Sequence, residues 1–241
     1  MGYPADAPIP DLLEAIEDRG GAHAVVIELN DGVAGAYIAR PDLPLVVVNG
    51  AQAITRQRFT LAHEFGHFRM GHSSVIDTQT VIGGVQRDPQ EVSANAFAAE
   101  FLMPCGATMK WAAHTIRGQI TLEHAVVFAN DFGVSPQAAR YAFATAGVLP
   151  DDRRAEQLDA EIADELHIEL ASYLGLEPLE DRLADAVRRL PRIPPALEQS
   201  ALGEVLIGAI DVDELAARAG RSRSEIEAAL AEFRLDQLLP A

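Results

Sequence analysis

The chain has 241 residues with 36 acidic against 19 basic side chains, a formal net charge of −17. That balance argues against broad binding to a phosphate backbone, which draws on clustered Lys and Arg; the 49% apolar share is enough for a proper core in one large or two small domains. No run approaches the roughly 18 apolar residues of a membrane span, and the acidic N-terminus (Asp6, Asp11, Glu14, Glu17, Asp18) lacks the basic and apolar regions of a signal peptide, so a cytoplasmic protein is expected.

The single cysteine, Cys105, excludes an internal disulfide and reads as a partly buried free thiol. Lys110 is the only lysine, which we read as coding bias rather than function.

In chain order, a short amphipathic helix is predicted around residues 9 to 18, ending at Gly20-Gly21. Three β-rich stretches follow, Ala22 to Leu29, Gly32 to Ala39 and Leu45 to Asn49. The turn signal Asn30-Asp31-Gly32 predicts a hairpin and hence a small antiparallel sheet. An exposed edge strand there could pair with an extended substrate, or simply cover one side of the core.

The window from Gln57 to Met70 reads as a helix and contains His63-Glu64-Phe65-Gly66-His67. Helical positions i and i+4 share a face, so the two imidazoles can converge on one ion, while Glu64 points about 100° round the axis. From there it could reach a water on that ion without ligating it, the arrangement of two ligands and a general base used by zinc hydrolases.

Residues 73 to 90 carry Ser, Thr, Gly and Pro without clear periodicity and are expected to form a loop over the cleft, a candidate lid. The next helix, from Glu91 to about Pro104, offers a third ligand in Glu91, although a glutamate starting a helix is ordinarily just a favourable charge at its positive end. Asn95, one turn on, could orient a ligand histidine. Val92, Ala96, Ala99 and Leu102 are expected to form most of this helix's buried side.

His72 falls off the ligand face, and His23, His114, His124 and His167 lie in unrelated segments. Tyr141 and His114 are candidates for the donor that an oxyanion needs.

Beyond Pro104, two helices are predicted at Leu122 to Val134 and Ser135 to Ala146, with Ser135 as N-cap and Pro136 first in the helix. The break at Gly147 to Asp152 sets a boundary between domains 1–150 and 151–241. The second part has 10 basic and 21 acidic residues, 10 − 21 = −11, and reads as a helical module interrupted at Gly175 and at Pro191 to Pro195. Within it, Val212 to Ile226 has helix-turn-helix spacing, with Ala216 small, Gly220 at the turn, and Arg218, Arg221 and Arg223 near the second helix. The acidity of the module sets direct DNA binding through 211–234 against a packing, substrate-recognition or regulatory role.

Two blocks, Arg58-Phe59-Thr60-Leu61-Ala62-His63-Glu64-Phe65-Gly66-His67 and Glu91-x-x-Ala94-Asn95-x-Phe97-Ala98 with Leu102-Met103-Pro104, together resemble the ImmA/IrrE family of metallopeptidases over roughly residues 20 to 148. The resemblance implies one Zn2+ ion held by His63, His67 and Glu91, with Glu64 as catalytic base. It also implies a protein substrate, a helix-turn-helix repressor or antitoxin whose cleavage derepresses phage, mobile-element or stress-response genes. The fold expected is α+β, a mostly helical zincin-like domain with a small antiparallel sheet, followed by the helical module. The competing reading is a non-catalytic regulator in which zinc is structural and the C-terminal module binds DNA or a partner repressor. An intact Glu64 between the histidines favours the enzyme, since a purely structural site has no use for it.

Overall fold

The computed structural model describes residues 8–9, 11–30, 32–82, 88–179, 183, 192–194, 197, 200–232 and 235–238. Asp31 of the expected turn, residues 83–87 of the expected lid, Pro191 and Pro195, and residues 233–234 of the DNA-binding candidate lie outside them.

The chain opens with α1 (Leu12–Glu17), whose first turn is capped by the Asp11 carboxylate accepting from the Glu14 amide at 2.9 Å. Next come β1 (His23–Ile27), β2 (Val33–Ile38), β3 (Leu45–Asn49), α2 (Ile54–Met70), β4 (Val75–Thr78) and α3 (Pro89–Leu102). The rest is helical: α4 (Cys105–Thr115), α5 (Leu122–Phe132), α6 (Pro136–Thr145), α7 (Asp152–Ala163), α8 (Leu166–Tyr173), α9 (Ala201–Leu206), α10 (Val212–Ala219) and α11 (Arg223–Glu232), then a 3-10 turn at Leu235–Gln237. The fold is α+β and mostly helical, as the sequence leads one to expect.

The sheet departs from expectation in its pairing. Its order is β1-β3-β2-β4, with β1 parallel to β3 and the other pairs antiparallel, so it is mixed. β1 and β2 are not hairpin neighbours, because β3 lies between them. The buried side chain of Asn49, at the end of β3, supplies a reason: its Oδ1 accepts from the Leu29 amide (3.4 Å) and its Nδ2 donates to the Val33 carbonyl (2.9 Å). It therefore satisfies the main chain leaving β1 and entering β2 as the connection crosses the end of β3.

Both faces of the sheet are covered, which is why the strands read as near-continuous apolar runs. Ala24, Val26, Val46 and Val48 face a core shared with α1, α2 and the α3–α7 helices. Their neighbours Val25, Ile27, Leu45 and Val47, with Ala36 and Ile38, face a second core closed by Leu206, Ala216, Ile226, Leu230, Leu235 and Leu238. The residues after 150 thus divide between the two cores, since Ala155 and Leu158 of α7 pack in the first. The outer edge of β1 is met by Arg192, whose main chain bridges Val26 and whose guanidinium binds Glu17 at 2.9 and 2.5 Å.

α10 and α11 are two helices joined by a short turn at Gly220, which is left-handed (φ +63°), and their apolar residues Ala216, Ile226 and Leu230 are spent on the sheet. Arg218 is paired with Glu204 and Glu214, and Arg223 with Asp213 and Glu227.

Candidate metal centre

α2 runs through the middle of the first core and is buried on several sides, from Gln57 and Arg58 to His67. Two close approaches let it do so. At Gly66 a Cβ would lie 3.0 Å from the Phe97 ring of α3, and at Gly35 of β2 it would lie 2.5 Å from Thr60 Cγ2 and 2.9 Å from Glu64 Oε1. The second approach sets the HExxH carboxylate directly against the sheet.

Four side chains bring ligand atoms within 4.8 Å of one another: His63 and His67 from α2, Glu91 from α3 and Asp77 from β4. The two Nε2 atoms are 3.1 Å apart. Glu91 Oε2 stands 3.2 Å from His63 Nε2 and 3.5 Å from His67 Nε2, and Asp77 Oδ2 stands 3.3 and 3.8 Å from the same atoms. All four residues are buried. The structure thus brings together His63, His67 and Glu91, the three residues expected as ligands, and adds Asp77. Residues 73–90 were expected to be loop, whereas 75–78 are an edge strand on β2. Asp77 lies opposite Gly35, the partner that faces α2, whereas Ile76 packs on the second core, so strand alternation aims the carboxylate at the histidines.

Hydrogen bonds fix the imidazoles. Asn95 donates its Nδ2 to the Val81 carbonyl (3.3 Å), which leaves its Oδ1 to accept from His63 Nδ1 at 3.0 Å and turns the His63 Nε2 lone pair toward the cluster. The orienting role expected for Asn95 is borne out in this geometry. His67 Nδ1 meets His72 Nδ1 at 2.9 Å, so His72 touches the site from behind. Burial, then the neighbouring His63, lowers the His67 pKa to about 4, which keeps the ring neutral and its lone pair available at neutral pH.

Glu64 is fully buried, and its carboxyl group lies against that of Asp77, close enough for the two to share a proton. Burial first, then the Asp77 and Glu91 charges, raise its pKa well above the ordinary carboxylate range, and Glu91 is raised for the same two reasons. Three carboxyl groups and two imidazoles meeting in one buried site form a set that a divalent cation would satisfy. The separations fit as well: donors about 2.0–2.2 Å from a tetrahedral ion lie about 3.3–3.6 Å apart, the range in which the five distances centre.

Of the residues expected on the buried side of α3, Leu102 is buried and Ala99 partly so, while Val92 and Ala96 are not. The buried residues of α3 are Glu91, Ala94, Ala98 and Leu102, while Val92 is 49% exposed, because the helix turns its small residues toward α2. The oxyanion candidates lie on other helices: His114 bonds to the Lys110 carbonyl of α4, and Tyr141, half exposed on α6, lines a cavity of about 520 Å³ between α2, α3 and α6 that reaches Asn95 and Arg56.

A buried His-Glu-x-x-His helix with a carboxylate from a second helix is the donor arrangement of metal-dependent hydrolases. A family model described as the IrrE N-terminal-like domain, Peptidase_M78, matches residues 21–144, more than half of the chain. The chain belongs to that peptidase family. No curated protein matches it. Among the described residues, no helix is long and apolar enough to cross a membrane.

Proposed function

We propose that the protein is a zinc-dependent endopeptidase in which His63, His67 and Glu91 hold one Zn2+ and Glu64 is the general base. The observation that carries this reading is Glu64: a fully buried carboxyl set against the Asp77 and Glu91 carboxyls, beside four converging donors, is costly to the fold. Bound zinc would supply Lewis acidity, polarising the scissile carbonyl and bringing the pKa of a coordinated water to about 7. Glu64 would accept the proton of the attacking water on a carboxylate oxygen and pass it to the leaving nitrogen. Asn95 would hold the His63 ring through its Nδ1–H while this happens.

The substrate we propose is a regulatory protein, a helix-turn-helix repressor or antitoxin, cut to derepress phage, mobile-element or stress-response genes; family kinship supports this choice. Residues 151–241 would then act as a packing and regulatory module in a cytoplasmic enzyme. One observation favours the second reading, a structural ion: four protein donors leave no open position, as in closed structural zinc sites.

The test is co-expression of wild type and Glu64→Gln with the helix-turn-helix regulator encoded beside the gene, followed by intact mass. A discrete fragment with wild type alone is expected. A partner left intact by wild type, by Glu64→Gln and by Asp77→Ala alike, with zinc confirmed bound, would refute the peptidase and leave the structural ion.

A further inference from the structure

We infer that Asp77 is a fourth metal ligand that closes the centre, so that the protein as folded is a latent peptidase opened by displacement of the edge strand β4. The inference rests on the metal-centre reading above and adds a state of that site. Asp77 is 2% exposed, and its Oδ2 stands 3.3 and 3.8 Å from the two histidine nitrogens, as Glu91 Oε2 does at 3.2 and 3.5 Å, so that one ion could take all four donors. A catalytic zinc needs one corner for water or substrate, and here a side chain fills it. Glu64, whose carboxyl interacts with those of Asp77 and Glu91, is likewise sealed from solvent.

The strand that carries Asp77 is suited to leave. β4 has four residues and pairs within the sheet only with β2, through a register shift between Val33 and Gly35. Val75 and Ile76 are only half buried. The other hydrogen bonds near it lie at its ends: the Ala39 amide donates to Ser74 Oγ (2.9 Å) before it, and after it the Gln79 amide donates to the Gly32 carbonyl (3.1 Å) while Arg56 and Asn95 donate to the Gln79 and Val81 carbonyls. His63, His67 and Glu91 sit on helices of 17 and 14 residues that pack against each other. Of the four donors, Asp77 therefore belongs to the element that opens at least cost.

The experiment uses the full chain loaded with Co2+, as wild type, Asp77→Asn and Asp77→Ala, with acetohydroxamic acid as the probe ligand. In wild type the cobalt absorption should not respond to hydroxamate over the range that shifts the Asp77→Ala spectrum. Metal affinity, measured against a chromophoric chelator, should fall in that variant by at least about tenfold, since loss of a residue that only supports a ligand already costs about 10–100-fold. Asp77→Asn keeps the side-chain volume and carries the same comparison if Asp77→Ala does not fold by circular dichroism. Equal hydroxamate affinity in wild type and variant would overturn the inference while leaving the metal centre in place. Failure of every form to bind Co2+ would overturn both, and Glu64-dependent cleavage is scored separately.

Discussion

Gly35→Ala is the substitution whose effect follows most directly from the architecture. The added Cβ would lie 2.5 Å from Thr60 Cγ2, 2.8 Å from the Val47 carbonyl oxygen and 2.9 Å from Glu64 Oε1. Ordinary carbon contacts are about 3.5–4.0 Å, so something must yield by about 1 Å. The Val47 carbonyl is main chain in the next strand, and Thr60 is stiff at χ1. What remains is for α2 to retreat from the sheet, taking Glu64 with it. Overpacking of this kind costs about 1–3 kcal/mol, and at about 2–4 °C per kcal/mol for a chain of this size the melting temperature should drop by about 2–12 °C. A base misplaced by about 1 Å should slow cleavage by on the order of a hundredfold. The assays are thermal unfolding and the rate of fragment formation, with Gly118→Ala as control, because a Cβ there meets nothing within 4 Å. A Gly35→Ala protein that melts with wild type and cleaves at the wild-type rate would refute the proposed contact between sheet and base.

Asn95→Ala should lower zinc affinity by about 10–100-fold, read by chelator competition, because the His63 ring loses the acceptor that orients it. Removing metal with EDTA should lower the melting temperature of wild type by several degrees, since ligand at 100 times its Kd is worth about 2.7 kcal/mol. The shift should vanish in His67→Ala, and its persistence there would place the ion elsewhere. Arg192→Ala should cost about 1.5–3 kcal/mol in urea unfolding, because the guanidinium, 22% exposed, binds both Glu17 and the Ala24 carbonyl at 2.6 Å. A loss near zero would mean that the β1 edge is held by its main-chain bridge alone.

What the sequence made legible at this site is what local periodicity carries. His63, Glu64 and His67 are spaced within one helix, so their relative directions follow from 3.6 residues per turn. Glu91 and Asn95 are likewise one turn apart, and their approach to His63 needed only that two adjacent helices pack. Asp77 was invisible for the opposite reason. Val75-Ile76-Asp77-Thr78 is too short to show alternation, and only its pairing with β2 decides which side the carboxylate takes. The buried side of α3 was misread because apolarity was counted where closeness of approach decides: Ala94 and Ala98 let α3 lie on α2, and Val92 is left outside. The parallel pairing of β1 with β3 depends on Asn49 reaching two main-chain groups far from it in sequence, a contact that no turn signal reports.

The same logic gives the C-terminal helices a physical connection to the site. Ala36 and Ile38 of β2 face the core completed by Ala216, Ile226 and Leu230, with Ile76 of β4 packed against it, while Gly35 and Asp77 face α2. One pair of strands therefore carries on one face the carboxylate set against the histidines and on the other the apolar surface that the module covers. Loosening α10 or α11 would remove packing from behind β2 and β4 before it reached α2 or α3, whose contacts lie in the other core. His63, His67 and Glu91 would keep their places, and Asp77 is the donor whose support would weaken.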